Sequence, residues 1–155
     1  MADINQTIKN EIGIFETMIA SGPVIIQKRD GVLKTLLVKH GDKPLAELKW
    51  KFCGGKILAD ADLEANAIRE AREEIGVTVK LIKPLKPMII WKEIPETGSD
   101  QPQAIILIHY LAEIGEEPIK GEQILALDWF DINNLPSDSA PNVEPVIAEY
   151  LKQQK

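Results

Sequence analysis

Glu70, Glu73 and Glu74 lie within five residues of one another, and carboxylates at that spacing could do chemistry. On a helix Glu70 stands at position i, Glu73 at i+3 and Glu74 at i+4, so all three share one side. Two like charges 4 Å apart repel by about 1 kcal/mol in water and about 4 kcal/mol at an effective dielectric of 20. Something must offset that repulsion. Arg69 and Arg72 do so in part, although helical geometry sends them to a neighbouring side rather than to the centre of the cluster. A divalent cation does so more fully. Magnesium, with manganese as an alternative, prefers a few carboxylates, retained waters and phosphate oxygens to a complete protein cage, which suits a helix face beside an open cleft. Three glutamates alone are more simply read as a solvated acidic face, so the context decides.

That context is one strand, one turn and one helix. The stretch WKFCGGKI, residues 50–57, ends a predicted strand in Gly54 and Gly55, which permit a tight turn and close approach of backbone to a ligand. A helix is predicted over DLEANAIREAREEIG, residues 62–76, with Asp62 as its N-cap and Gly76 as its left-handed stop. Ala67, Ala71 and Ile75, joined by Ile68, form its apolar stripe and should pack on a sheet. A second helix is predicted over EPVIAEYLKQQ, residues 144–154.

Strands are predicted at 12–20, 23–27, 35–40, 77–82, 87–94, 104–113 and 124–130, where short apolar runs are bounded by turn residues. RDGVLK supplies one hairpin turn and TGSDQPQ, residues 97–103, a hairpin loop. A mixed sheet follows. No repeat, low-complexity tract or linker divides the 155 residues, so residues 1–155 read as a single domain able to bury roughly 70% of its unfolded surface. The single Cys53 cannot pair within the chain, and the N-terminus lacks a basic region followed by an apolar core, so a reduced, cytoplasmic setting is expected. No apolar run approaches a membrane span, and the net charge of -6 argues against broad contact with nucleic acid or anionic lipid.

At these residues the sequence resembles the Nudix hydrolase signature: Gly, five residues, Glu, seven residues, Arg-Glu, an aliphatic, any residue, Glu-Glu, any residue, Gly, aliphatic. Gly55 opens it, Arg69 and Glu70 give Arg-Glu, and Ala71 takes the aliphatic place. Glu73 and Glu74 form the pair, and Gly76 and Val77 close it. Ala61 stands where the signature has Glu, a residue that in the family anchors the loop and pairs with the signature Arg. Asp60 and Asp62 flank the gap. WFDINNLP and PNVEPVIAEYL resemble the closing strand, acidic turn and final helix of MutT-type members.

The resemblance implies an α+β fold, a mixed sheet sandwiched between helices. It implies metal-assisted hydrolysis of a nucleoside diphosphate linked to another group, with nucleoside triphosphates slightly favoured. ADP-ribose, NDP-sugars and dinucleoside polyphosphates are the alternatives, and a nucleotide sensor without turnover is a further one. The partner implied is a small nucleotide bound by a monomer or homodimer. Glu70, Glu73 and Glu74 would hold the metal with the Gly54 carbonyl, Glu70 would double as candidate base, and Arg69 would orient them. A further acidic group is expected among Glu116, Glu117 and Glu122, with Glu122 favoured. Gly54, Gly55 and Lys56 would meet the substrate's phosphates, as could Lys51, Lys39 or Arg29. Trp91, like Trp50 and Tyr110, could stack on a base. MutT-type enzymes selecting oxidised guanine use an Asn directly before the last Glu-Pro, whereas here Val143 takes that place and Asn142 is one residue earlier. His40 and His109 show no ligand-like spacing and read as structural or surface residues.

Overall fold

The computed structural model describes residues 16–41, 44–58, 62–92 and 102–154. Its elements run β1 (Glu16–Arg29), β2 (Val32–His40), β3 (Gly55–Lys56), α1 (Leu63–Ile75), β4 (Lys80–Pro84), β5 (Met88–Lys92), β6 (Gln103–Glu113), β7 (Ile124–Asp131) and α2 (Val143–Gln153), with a 3-10 turn at Leu45–Glu47. The sheet has the order β4-β6-β1-β2-β7, with β3 on β1 and β5 on β6. β1 and β6 are parallel, and the other pairings are antiparallel. This is the mixed sheet expected from the sequence.

Side-chain alternation along the strands gives the sheet two buried faces. Ile25, Leu36 and Val38 pack with Ala71 and Ile75 of α1. Val24 and Leu37, their neighbours in sequence, turn to the other face and pack with Val143, Val146 and Ile147 of α2. A helix therefore covers each face. The start of α1 is fixed by the Asp62 side chain, which accepts from the Ala65 N–H at 2.6 Å. It stops at Gly76, whose φ of 68° is left-handed and whose N–H donates to the Arg72 carbonyl. Asp30 and Gly31, both at positive φ, join β1 to β2 as a two-residue turn closed by the Arg29–Val32 pair, the geometry of a type I′ hairpin.

Three local expectations need correction. The separate strands at 12–20 and 23–27 are one continuous β1 from Glu16, with residues 12–15 outside the described chain. Gly22 and Pro23 do not break it, because β1 pairs β3 at Ala20 and Ser21 and β2 from Ile26 onward. Pro23, which lacks an N–H, falls in the gap between those two pairings. The strand expected at 77–82 is shifted to Lys80–Pro84, because Val77 and Val79 are spent in the core below α1. WKFCGGKI does not end a regular strand, since Trp50 and Lys51 make only isolated bridges. Within the 97–103 loop, 97–101 lie outside the described residues, as do Asp60 and Ala61.

Candidate functional site

The glycine turn crosses β1 at contact distance. A Cβ on Gly22 would overlap the Cys53 carbonyl oxygen and lie 2.8 Å from the Gly54 Cα. Gly54 itself has a φ of +151°, and a Cβ there would stand 2.8 Å from the Ser21 carbonyl oxygen. This crossing aims the Gly54 N–H at α1, where it donates to Glu74 Oε1 at 2.7 Å. Gly55 leaves room for the next carboxylate, because a Cβ there would lie 2.5 Å from Glu70 Oε1. The paired glycines thus seat Glu74 and Glu70 side by side.

Glu74 is buried at 6% exposure, and its second oxygen stands 2.5 Å from His40 Nε2. That contact has ion-pair distance without hydrogen-bond alignment. His40 is therefore a residue of the site, contrary to its reading as structural or surface; nothing in its sequence spacing marks it, because β2 brings it there from 34 residues away. Burial first, and then the Glu74 carboxylate, hold the Glu70 pKa above its ordinary value, against the pull of Arg69. Burial and Glu74 likewise push the Cys53 thiol up. Glu73 is more open, at 58% side-chain exposure.

Arg69 reaches into the cluster instead of away from it. Its guanidinium donates to Glu70 Oε1 at 2.8 Å, to Glu73 Oε2 at 2.9 Å and to Asn66 Oδ1 at 2.7 Å. Asn66, which sequence reasoning missed, is 1% exposed. It donates from Nδ2 to Ser21 Oγ and to the Gly55 carbonyl, both at 3.0 Å. One buried amide thereby ties β1, the glycine turn and Arg69 together. The available signal was a poor helix former beside the apolar stripe, four residues before Glu70. Asn66→Ala is expected to destabilise the fold by about 2 kcal/mol, since it strands buried partners, and to lower activity roughly 10–100-fold through loss of orientation; urea melts and initial rates check both.

A cleft of about 630 Å³ opens beside the turn. Met18, Ile90, Ile105, Leu107 and Phe52 give it apolar walls, and Gly54, Gly55, His40, Glu47, Lys49, Lys51 and Lys56 also line it, whereas Glu70, Glu73 and Glu74 do not. Two other expected phosphate contacts are committed elsewhere. Lys39 binds Asp138 at 2.9 Å and covers Trp50, and Arg29 holds Glu117 and lies over Trp129. Trp50 packs edge-on against Phe130, and Tyr110 is buried. Ile90 lines the cleft, so strand alternation turns Trp91, 47% exposed, to the opposite face of β5. Glu122 is exposed; the next residue's carbonyl accepts from the Gly41 N–H, which moors that loop beside His40.

Glu70 and Glu74 fit a divalent cation: both are withdrawn from water, and each raises the cost of further negative charge nearby. Glu73 has one oxygen engaged by Arg69. Glu70 Oε1 is likewise engaged by Arg69, and among the described residues no three His, Cys, Asp or Glu side chains are arranged to hold a metal.

The sequence profile of the NUDIX domain matches residues 18–153. The fold is that of Nudix hydrolases. The crystal structure of the MutT NUDIX hydrolase from Burkholderia pseudomallei aligns at TM-score 0.66 and 23% identity, covering 86% of this chain and 98% of that one. A C. elegans Ap4A hydrolase binary complex aligns at 0.70 and 16% identity, covering 88% and 97%. The NUDIX domain of Shewanella oneidensis NrtR complexed with ADP ribose aligns at 0.68 and 17% identity, covering 100% of each. No curated protein sequence matches the chain. The chain belongs to the Nudix family, and so to the pyrophosphohydrolase enzymes, which generally use divalent metal ions. No helix among the described residues is long and apolar enough to cross a membrane.

Proposed function

We propose that this protein is a magnesium-dependent hydrolase of the pyrophosphate linkage in a nucleoside diphosphate joined to a further group, with nucleoside triphosphates as the favoured class. The observation that carries this reading is the seating of Glu70 and Glu74 on the two residues of a glycine turn that also lines the cleft. The cleft volume lies within the range of sites for one small ligand, about 300–1,000 Å³, which suits a single nucleoside better than the two of a dinucleoside polyphosphate.

When bound, the cation would neutralise phosphate oxygens and lower the pKa of an attacking water. The chain supplies the rest. In this reading Glu70, which Arg69 orients, takes the water's proton, and Lys51 and Lys56, which line the cleft, meet the substrate's phosphates. Asn66 and Arg69 hold the acidic face in register without the Glu that Ala61 replaces, which supports turnover over sensing alone. Glu122 is the acidic residue of the moored loop that would reach the phosphates from the solvent side.

The test is product release from nucleoside triphosphates, ADP-ribose, NDP-sugars and dinucleoside polyphosphates, with magnesium and with chelator. Magnesium-dependent release of monophosphate and pyrophosphate from triphosphates is expected. Tight binding across the panel without turnover would sink the hydrolase reading.

A further inference from the structure

Among the described residues Glu74 Oε2 is the one buried carboxylate oxygen that makes no hydrogen bond. The side chain is 7% exposed, and its other oxygen is already held by the Gly54 N–H. The atom facing Oε2, His40 Nε2, is closed to water and lacks a hydrogen bond as well. Native proteins seldom leave two such atoms against each other without a reason.

A proton shared between them would suit the 2.5 Å separation, but it requires alignment that the pair does not have. A metal ion bonded to both has the opposite requirement. It sits off the line between its donors, so each lone pair points past the other atom to a common apex. Carboxylate oxygen and imidazole nitrogen are both ordinary metal donors. An ion enters by parting the pair, and the imidazole is the side able to yield: His40 is the last residue of β2, at the point where the pairing with β7 slips, and Gly41 follows it. His40 also lines the cleft with Gly54 and Gly55, so an ion it holds can share a phosphate bound there. Two protein donors, with waters and phosphate oxygens completing the shell, are the usual number for such an ion.

We propose that His40 is a metal ligand, paired with Glu74, and that its nitrogen makes the site prefer a borderline transition-metal ion to magnesium. This rests on the reading of Glu74 as a metal carboxylate above and adds the donor that sets which ion is held most tightly. Magnesium seeks oxygen and gives up its waters reluctantly, whereas iron, nickel and zinc suit imidazole. Magnesium in large excess still fills the site, so the preference shows at equal concentrations.

The experiment uses the full chain without nucleotide, titrated with Co2+ as a visible stand-in for zinc, alone and in competition with Mg2+. Absorption follows binding, and proton NMR looks for the far-shifted N–H signal of an imidazole bound to Co2+. The chain holds two histidines, so His40→Ala assigns that signal. The wild type is expected to show the signal and to bind Co2+ ahead of Mg2+. His40→Ala is expected to lose the signal and to weaken Co2+ by roughly 10–100-fold, the scale on which support of a metal ligand acts, with little change for Mg2+. A merely structural role for His40 would weaken both ions alike and leave no signal to lose. Should His40→Ala fail to fold, His40→Asp decides alone: with oxygen in place of nitrogen it should bind Mg2+ at least as well as the wild type, favour Co2+ less and show no imidazole signal. Co2+ bound without the signal, no preference for Co2+ over Mg2+, or a preference that the variants leave unchanged overturns the proposal. Co2+ bound through His40 without hydrolysis of any nucleotide under either ion would sink the hydrolase reading and leave this one standing. Magnesium-dependent hydrolysis by a chain that binds Co2+ through oxygen alone would do the reverse.

Discussion

Glu74→Gln is expected to cut turnover by roughly a thousandfold while the chain stays folded, because the substitution removes a charge and little else. The glutamine carbonyl can keep the 2.7 Å bond from the Gly54 N–H, and its NH2 would face the His40 imidazole where a carboxylate oxygen now stands. What disappears is one of two carboxylates seated on the turn. A catalytic cation supplies several kcal/mol of charge stabilisation, and about 4 kcal/mol corresponds to three decades in rate. Initial rates with magnesium measure the loss, and thermal melts with magnesium and a non-hydrolysable analogue separate its causes. The wild type should melt higher when both are bound, whereas the variant should not. Retained activity would remove Glu74 from the metal role. The variant also changes the response to pH. Glu70 is held above the ordinary carboxylate value by burial and then by Glu74, so without metal the folded chain binds that proton more tightly than the unfolded one. Stability therefore falls as pH rises from the unfolded pKa through the raised folded one. Removing the Glu74 charge should shrink that fall, which urea melts in chelator would show.

The parts of this site that were legible in the sequence are those written locally. The i, i+3, i+4 glutamates, the Asp62 cap, the Gly76 stop and the apolar stripe all lie within one helix, so 3.6-residue geometry orders them before any tertiary contact forms. The strands around Leu37, Ile106 and Leu127 were legible for the same reason. His40 and Asn66 were not. Each acquires its contacts from a partner distant in sequence: Glu74 for His40, and Ser21 and Gly55 for Asn66. Arg69 was misplaced by a related error, because its Cα lies off the acidic side while its long side chain curls back to three partners. The joining of two predicted strands into β1 was hidden because Gly22-Pro23 reads as a break unless the edge gap it occupies is known.

That same crossing point gives the largest expected loss of stability. Gly22→Ala should destabilise the fold by about 3 kcal/mol, lowering Tm by roughly 10 °C, since the new Cβ meets the Cys53 carbonyl oxygen, the Gly54 Cα and the Cys53 carbonyl carbon, all backbone atoms that cannot rotate aside. Either β1 or the turn must yield, and β1 is pinned. It pairs with β6 from Glu16 to Ile25, and Ser21 is bonded through Oγ to the Leu63 carbonyl at 2.7 Å and to Asn66. The turn therefore moves, and with it the Gly54 N–H that holds Glu74 and the bare α-carbon that admits Glu70. Activity should then fall in molecules that remain folded, a loss that melting alone does not predict. Gly115→Ala is the matched control, because a Cβ there meets nothing within 4 Å and should change stability by no more than about 0.5 kcal/mol. If Gly22→Ala melts within about 2 °C of the wild type, the turn does not cross β1 at contact distance, and the glutamates owe their placement to α1 alone.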